Sequence, residues 1–176
     1  YPGNDVRLAV SRYEYNGDMK LLFYDIERDT LYLTEVKPIT VNTSGGDGGD
    51  GGRGGNGGRG GTYEDESGTI IEGPPGTPGD GGDGGDAGSG GDITLLASDV
   101  QLFNFVSPVA QGGEGGHGGG PGRAYDEGSL VKRGRAGRDG REGRNGKIRY
   151  HSVSSSELRE ILEKVKTSGF ELSNVQ

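Results

Sequence analysis

The chain contains no cysteine and no tryptophan, and only one methionine. Without cysteine there are no disulfides and no thiolate metal sites, and the compartment stays open, because secreted and cytosolic proteins can both lack it. Apolar residues are scarce as well. Leu, Ile, Val and Phe make up about 19% of the 176 residues, a level at which disorder competes with folding. No run approaches the length of about 18 apolar residues that a membrane-spanning helix needs. Positive charge is in the minority, with 19 Lys and Arg against 27 Asp and Glu and a net charge of −8. That balance argues against nucleic acid or an anionic membrane as a bulk partner. The chain opens on Tyr1 with neither a charged n-region nor an apolar h-region, which reads as a processed product or a piece of a larger protein.

What the chain has instead is glycine. It holds 40 Gly and 7 Pro, against about 7% and 5% in ordinary proteins, which excludes an ordinary single-core domain over the whole length. The glycines fall in four tracts of period three: residues 45–61 (GGDGGDGGRGGNGGRGG), 73–92 (GPPGTPGDGGDGGDAGSGGD), 112–123 (GGEGGHGGGPGR) and 134–147 (GRAGRDGREGRNGK). An internal repeat therefore dominates the organisation.

Three residues per turn is the period of the polyproline II conformation, which rises about 3.1 Å per residue and makes no internal hydrogen bonds. Its N–H and C=O groups must find water or a neighbouring backbone. Glycine at a fixed phase clears one face for that approach. Two glycine columns in residues 45–61 predict neighbours on two sides, and one column in 134–147 predicts an edge. The remaining columns carry charge: Asp47 and Asp50 in the first tract, Asp80, Asp83 and Asp86 in the second, and Arg135, Arg138, Arg141, Arg144 and Lys147 in the fourth. Charges in one column stand about 9 Å apart, near the Debye length. The acidic and basic columns are expected to lie near each other or each to find another partner, setting register more than stability. A polyglycine II bundle is the leading expectation for the tracts. Disorder, which glycine's large ordering entropy favours, and a collagen-like trimer from the G-X-Y runs are the alternatives.

Between the tracts the composition is normal. Val6, Leu8 and Val10 begin a strand, Asn16-Gly17 is a strong hairpin signal, residues 19–26 return, and residues 31–36 complete an antiparallel meander that Pro38 closes. Residues 69–72 form a short strand candidate. Residues 93–109 read as two strands broken near Ser98-Asp99, and 147–153 as a further strand. Ser154 and Glu157 form a capping box ahead of an apolar helical face of Leu158, Ile161, Leu162 and Val165. Gly169 marks the stop, and residues 170–172 could return as a strand. The expected domains are a β-meander at 1–44, a glycine-rich bundle at 45–147 with inserted strands at 69–72 and 93–109, and a strand plus capped helix at 148–176.

The GGX runs at 45–61 and 112–120 resemble those of glycine-rich mycobacterial surface repeat proteins and of phage tail-fibre tip adhesins. The G-X-Y runs at 73–80 and 134–146 are similar to the snow flea antifreeze protein family. This resemblance implies a fold of stacked, antiparallel polyproline II helices. The charged columns lack the flat Thr/Ala/Val face of an ice binder, and no aromatic-tipped loop marks an adhesin specificity.

The expected fold class is therefore mainly non-helical: about four polyproline or polyglycine II helices in a bundle, flanked by short antiparallel strands and one C-terminal α-helix. Calcium is a weak cofactor candidate at Asp47, Asp50, Asp80, Asp83 and Asp86. Carboxylates about 9 Å apart in one column cannot share an ion that wants six to eight oxygens, and no other cofactor is expected. RGG at 53–55 and 59–61 lacks interleaved aromatics for base stacking, so nucleic acid is not expected. His117 and His151 form no catalytic constellation in the sequence, and neither an enzyme nor a small-molecule substrate is expected. The functional expectation is a structural scaffold or interaction domain with a protein partner or self-association. The competing expectation is a surface or tail-fibre adhesin that recognises a receptor through loops 62–72 and 124–133, with Tyr63, Glu64, Asp65, Tyr125 and Asp126 as the recognition residues. An extracellular or surface setting suits either.

Overall fold

A computed structural model describes residues 1–125, 133–165 and 172–175. The chain forms two compact units: unit 1 comprises Tyr1–Gly46, Ser89–Gly112 and Arg144–Gln176, and unit 2 comprises Asp47–Gly88 and Gly113–Gly143. The described strands, in chain order, are β1 (Val6–Tyr15), β2 (Asp18–Asp25), β3 (Thr30–Thr34), β4 (Ile39–Asn42), β5 (Thr62–Glu64), β6 (Ile70–Glu72), β7 (Ile93–Ala97), β8 (Val106–Val109) and β9 (Ile148–Ser152).

Unit 1 is organised by a five-stranded mixed sheet of order β3-β2-β1-β7-β9. Its antiparallel part is a meander. Asn16 and Gly17 both take positive φ (53° and 84°), as a two-residue hairpin between twisted strands requires, and Tyr15 pairs with Asp18 across them. Asp29 (φ 49°) turns the chain into β3, and its carboxylate accepts the Tyr24 hydroxyl at 2.8 Å. Burial, reinforced by that bond, pushes the Tyr24 phenol up to about 12. The parallel part adds β7 to β1, with Val6 opposite Ile93, and β9 to β7, with Ile93 opposite Ile148.

Successive strand residues point to opposite faces, and here both faces are buried. One face carries Val6, Leu8, Val10, Leu21, Phe23, Ile93 and Leu95 against Leu102, Val106 and Ala110. The other carries Ala9, Tyr13, Leu22 and Tyr24 against Leu158, Leu162 and Val175. Burial on both sides explains the uninterrupted apolar stretches Leu8–Val10 in β1 and Leu21–Tyr24 in β2. Each fully buried Leu, Ile or Phe contributes about 1.5–3 kcal/mol. The helix α1 (Ser155–Leu162) seats Leu158 and Leu162 in the second core. It begins with a reciprocal capping box, the Ser154 hydroxyl accepting the Glu157 N–H while the Glu157 carboxylate accepts the Ser154 N–H. Gly169 and Phe170, expected at the helix stop and in a return strand, lie outside the described residues, and Leu172–Asn174 is a 3-10 turn. β4 and β8 form a separate two-stranded parallel sheet, with the 3-10 helix Val100–Phe105 preceding β8.

This architecture corrects the expected fold class. The regular structure is mainly β, a five-stranded mixed sheet with two two-stranded sheets and one short helix among the described residues. It is not a polyglycine II bundle with antiparallel strands at its flanks. The physical reason is where the apolar side chains sit. Among the described residues every buried hydrophobic side chain, Pro78 aside, belongs to unit 1. Pairing over long sequence separations draws strands that the glycine tracts keep apart in sequence into one sheet.

In unit 2 the tract residues carry no helix or strand assignment, and hydrogen bonds recurring every third residue join their backbones. Gly48, Gly51, Gly54 and Gly57 donate to the carbonyls of Glu114, His117, Gly120 and Arg123 at 2.7–2.9 Å. Gly76, Gly79, Gly82 and Gly85 donate, in the opposite sense, to Gly58, Gly55, Gly52 and Gly49 at 2.7–2.8 Å. Gly116 and Gly119 each occupy a buried position; they donate to Gly85 and Gly82, and accept from Gly140 and Gly137. Glycine is required there by close approach: a Cβ on Gly119 would fall on the Gly52 carbonyl, and one on Gly51 on the Gly82 carbonyl. The second glycine column of residues 45–61 behaves differently. A Cβ on Gly49, Gly52, Gly55 or Gly58 would meet nothing within 4 Å, so only one of the two columns is demanded by packing.

Candidate recognition surface

The residues that sequence reasoning singled out in unit 2 form two groups with different jobs. The first is the charged columns. Short acidic and amide side chains reach across to N–H groups of a neighbouring tract. Asp80, Asp83 and Asp86 accept from Arg135, Arg138 and Arg141 at 2.6, 2.8 and 2.8 Å. Asp47 and Asp50 accept from Glu114 and His117 at 2.9 and 2.8 Å, and Asn56 accepts from Arg123 at 2.9 Å. Asp139 accepts from Gly118 at 2.8 Å. Unit 1 carries its own members of this pattern: Ser89 takes the Arg144 N–H at 3.2 Å, and Asp92 takes the Lys147 N–H at 2.8 Å and the Arg149 guanidinium at 2.8 Å. Those two donors hold the Asp92 carboxyl below its usual range.

The acidic column of residues 73–92 is thus brought against the basic column of 134–147, but through backbone N–H groups and not through opposed charges. No ion pair among the described residues involves the guanidinium groups of Arg135, Arg138, Arg141 or Arg144. His117 approaches Asp139 at 3.9 Å, with both side chains exposed. No group of three or more potential metal ligands is found among the described residues. The Asp columns have a job as backbone acceptors.

The second group is the hairpin β5–β6. Asp65 builds its turn: one carboxylate oxygen accepts from Ser67 N (2.9 Å), Ser67 Oγ (2.6 Å) and Thr69 N (2.9 Å). Those bonds, the Ser67 hydroxyl foremost, hold the Asp65 carboxyl below its ordinary range. Gly68 supplies the positive φ, 79°. Asp65 is therefore a positioning residue of the turn, and Tyr63, Glu64 and Ile70 are what the hairpin displays. Tyr63 is 59% exposed and Ile70 74%, large values for apolar side chains. At the hairpin's base Arg59 Nε donates to Glu72 Oε1 at 2.7 Å. This pairing raises the Arg59 guanidinium and lowers the Glu72 carboxyl, and the Tyr125 phenol acts on the same guanidinium. Tyr125 is 56% exposed. Asp126 lies outside the described residues. Arg59 and Glu72 escaped sequence reasoning, because one reads as a tract residue and the other as a strand end.

Comparisons with family models, with curated proteins and with solved structures find no match to this chain. No described helix is long and apolar enough to cross a membrane.

Proposed function

We propose that this chain is a non-enzymatic structural scaffold and interaction domain, which engages a protein partner or a second copy of itself through the glycine-rich unit's tract surface. One observation carries the reading. The tracts engage one another through backbone groups and short Asp and Asn side chains in a fixed period of three, which leaves the larger side chains, Arg138, Tyr63 and Ile70 among them, at the surface. A surface of that kind suits display better than enclosure. An adhesin reading has its own support in the exposed trio Tyr63, Ile70 and Tyr125, because aromatic and aliphatic anchors are what binding hot spots use.

The two readings separate in a capture experiment on cell-surface extracts. Replacing Tyr63, Ile70 and Tyr125 by Ser abolishes capture if the tip recognises a receptor, while Asp83→Ala leaves capture intact. Capture that survives the tip replacement supports the scaffold alone. Amide exchange at random-coil rates in residues 48–57 and 79–85 would overturn both.

A further inference from the structure

Unit 1 contains a cleft of about 570 Å³ that no part of the reading above uses. Its volume lies within the range of about 300–1,000 Å³ typical of small-molecule sites. Its apolar lining comes from three strands: Val6 and Leu8 of β1, Phe23 of β2, and Ile39 and Val41 of β4. These belong to, or pack against, the first hydrophobic core. The polar wall is a short chain of groups on β2, the following turn and β3. Asp25 is 4% exposed. One of its oxygens accepts the backbone N–H groups of Glu27 and Arg28, both at 3.2 Å, and the other takes Arg28 Nη1 at 2.6 Å.

That arrangement has two consequences. Asp25 is spent on holding Arg28, and Arg28 is a held cation. Hydrogen bonding to Asp25 raises the guanidinium further, with the Tyr32 phenol adding to the effect, so Arg28 is charged at any physiological pH. A guanidinium has five N–H donors, of which the structure shows one engaged by Asp25. Tyr32 lines the same cleft, half exposed, and its hydroxyl has no hydrogen bond to a described residue. The unspent polar groups on this wall, the rest of the Arg28 fork and the Tyr32 hydroxyl, can all donate. The rest of the lining sets Ile39 and Val41 among the uncharged polar residues Asn4, Thr34, Thr40, Asn42, Thr43 and Ser44, and Arg28 is the one cation among the described lining residues.

We propose that this cleft is a binding site for a small monocarboxylic acid with a compact apolar body. The carboxylate lies on the free edge of Arg28 and the Tyr32 hydroxyl, and the body rests on the partly buried Ile39 and Val41. A planar fork suits a carboxylate better than a spherical cation or a lone carbonyl. Asp25 orients the fork and moderates its charge, which favours one carboxylate over a polyanion. A ligand cation would have to face Arg28 directly and is rejected.

Benzoate, benzamide and benzylamine are suitable probes, titrated into the whole chain and followed by calorimetry and by methyl resonances of Leu8 and Val41. Benzoate is expected to bind saturably with Kd of about 1 mM or tighter, benzamide at least about tenfold more weakly, as loss of a charged hydrogen bond implies, and benzylamine not at all. Tyr32→Phe should weaken benzoate several-fold, and Arg28→Met by about tenfold or more. Because Arg28→Met also strips Asp25 of its partner, Val41→Trp serves as an independent variant: it fills the cleft, leaves the ion pair in place and should abolish benzoate binding with the melting transition retained. Absence of saturable benzoate binding at 10-fold above that Kd, equal binding of benzylamine, or unchanged benzoate binding in Val41→Trp each overturns the proposal.

Discussion

The two units solve the same problem with opposite materials. Unit 1 removes large apolar side chains from water on both faces of a sheet. Unit 2 has almost none to remove, and its buried positions are Pro78 and glycines 113, 116, 119 and 122 among the described residues. There the backbones approach so closely that N–H and C=O groups meet across tracts, and Asp or Asn side chains take further N–H groups, of Arg138 and of Gly118 for example. A side-chain core tolerates changes of shape if volume is kept. A backbone core leaves no such latitude, because the atom a new methyl group would strike is a carbonyl oxygen that cannot swing away. Scarcity of apolar residues, which first suggests disorder, is therefore compatible with dense packing when glycine recurs in phase.

That contrast can be broken from either side. The largest expected effect is in unit 1: Leu95→Ala, at a fully buried β7 position, should cost about 3–5 kcal/mol, measured by urea denaturation. Gly119→Ala in unit 2 should cost about 2–3 kcal/mol or more, because its methyl falls on the Gly52 carbonyl, with amide exchange accelerating at Gly119 and Gly137. Asp83→Ala removes the acceptor of the Arg138 N–H and should cost about 1 kcal/mol. Asp83→Asn should restore most of it, since Asn56 makes the same kind of bond. Gly52→Ala is the sharpest test: its methyl meets nothing within 4 Å. Its φ lies outside the left-handed region, so it should stabilise slightly, by about 0.4–1 kcal/mol, opposite in sign to Gly51→Ala one residue away.

The smallest effect is pH-dependent. Hydrogen bonds from Ser154 hold the Glu157 carboxyl below its ordinary value. A carboxyl lowered in the folded state contributes stability above its unfolded pKa, and that contribution is lost as pH falls through the lower, folded one. Helix content read by circular dichroism should accordingly fall on acidification below about pH 4, and Glu157→Gln should flatten that fall.

What could be read from the sequence was whatever is local. The Asn16-Gly17 turn, the break after Ala97 and the Ser154–Glu157 box each depend on residues within a few positions, and each is found in the structure. The sheet order could not be read this way. Val6 pairs with Ile93, and Ile93 with Ile148, and nothing in the neighbourhood of any of the three names its partner. The Asp and Arg columns were visible as columns, but charge suggested a metal or an ion pair, while the actual bond uses the arginine's backbone. Asp65 was misleading for a related reason: in the run Asp65, Ser67, Thr69, an acidic residue ahead of two hydroxyl-bearing residues is a turn signal before it is a recognition signal. The cleft at Arg28 draws on β1, β2, β3 and β4, all within residues 2–44, but it exists only once those strands have packed, and no local pattern in that stretch announces it.

The side-chain rungs from Asp80, Asp83 and Asp86 each reach a residue 55 positions further on. Such a constant offset makes the glycine-rich unit a counter. One residue inserted between Asp80 and Asp86 puts a carboxylate where a close-approach glycine must stand and shifts every later rung at once. Three inserted residues leave the phase unchanged. Matched triplets in the facing tracts then add whole rungs without disturbing the others. The glycine-rich unit can therefore be lengthened with its rungs intact only in threes.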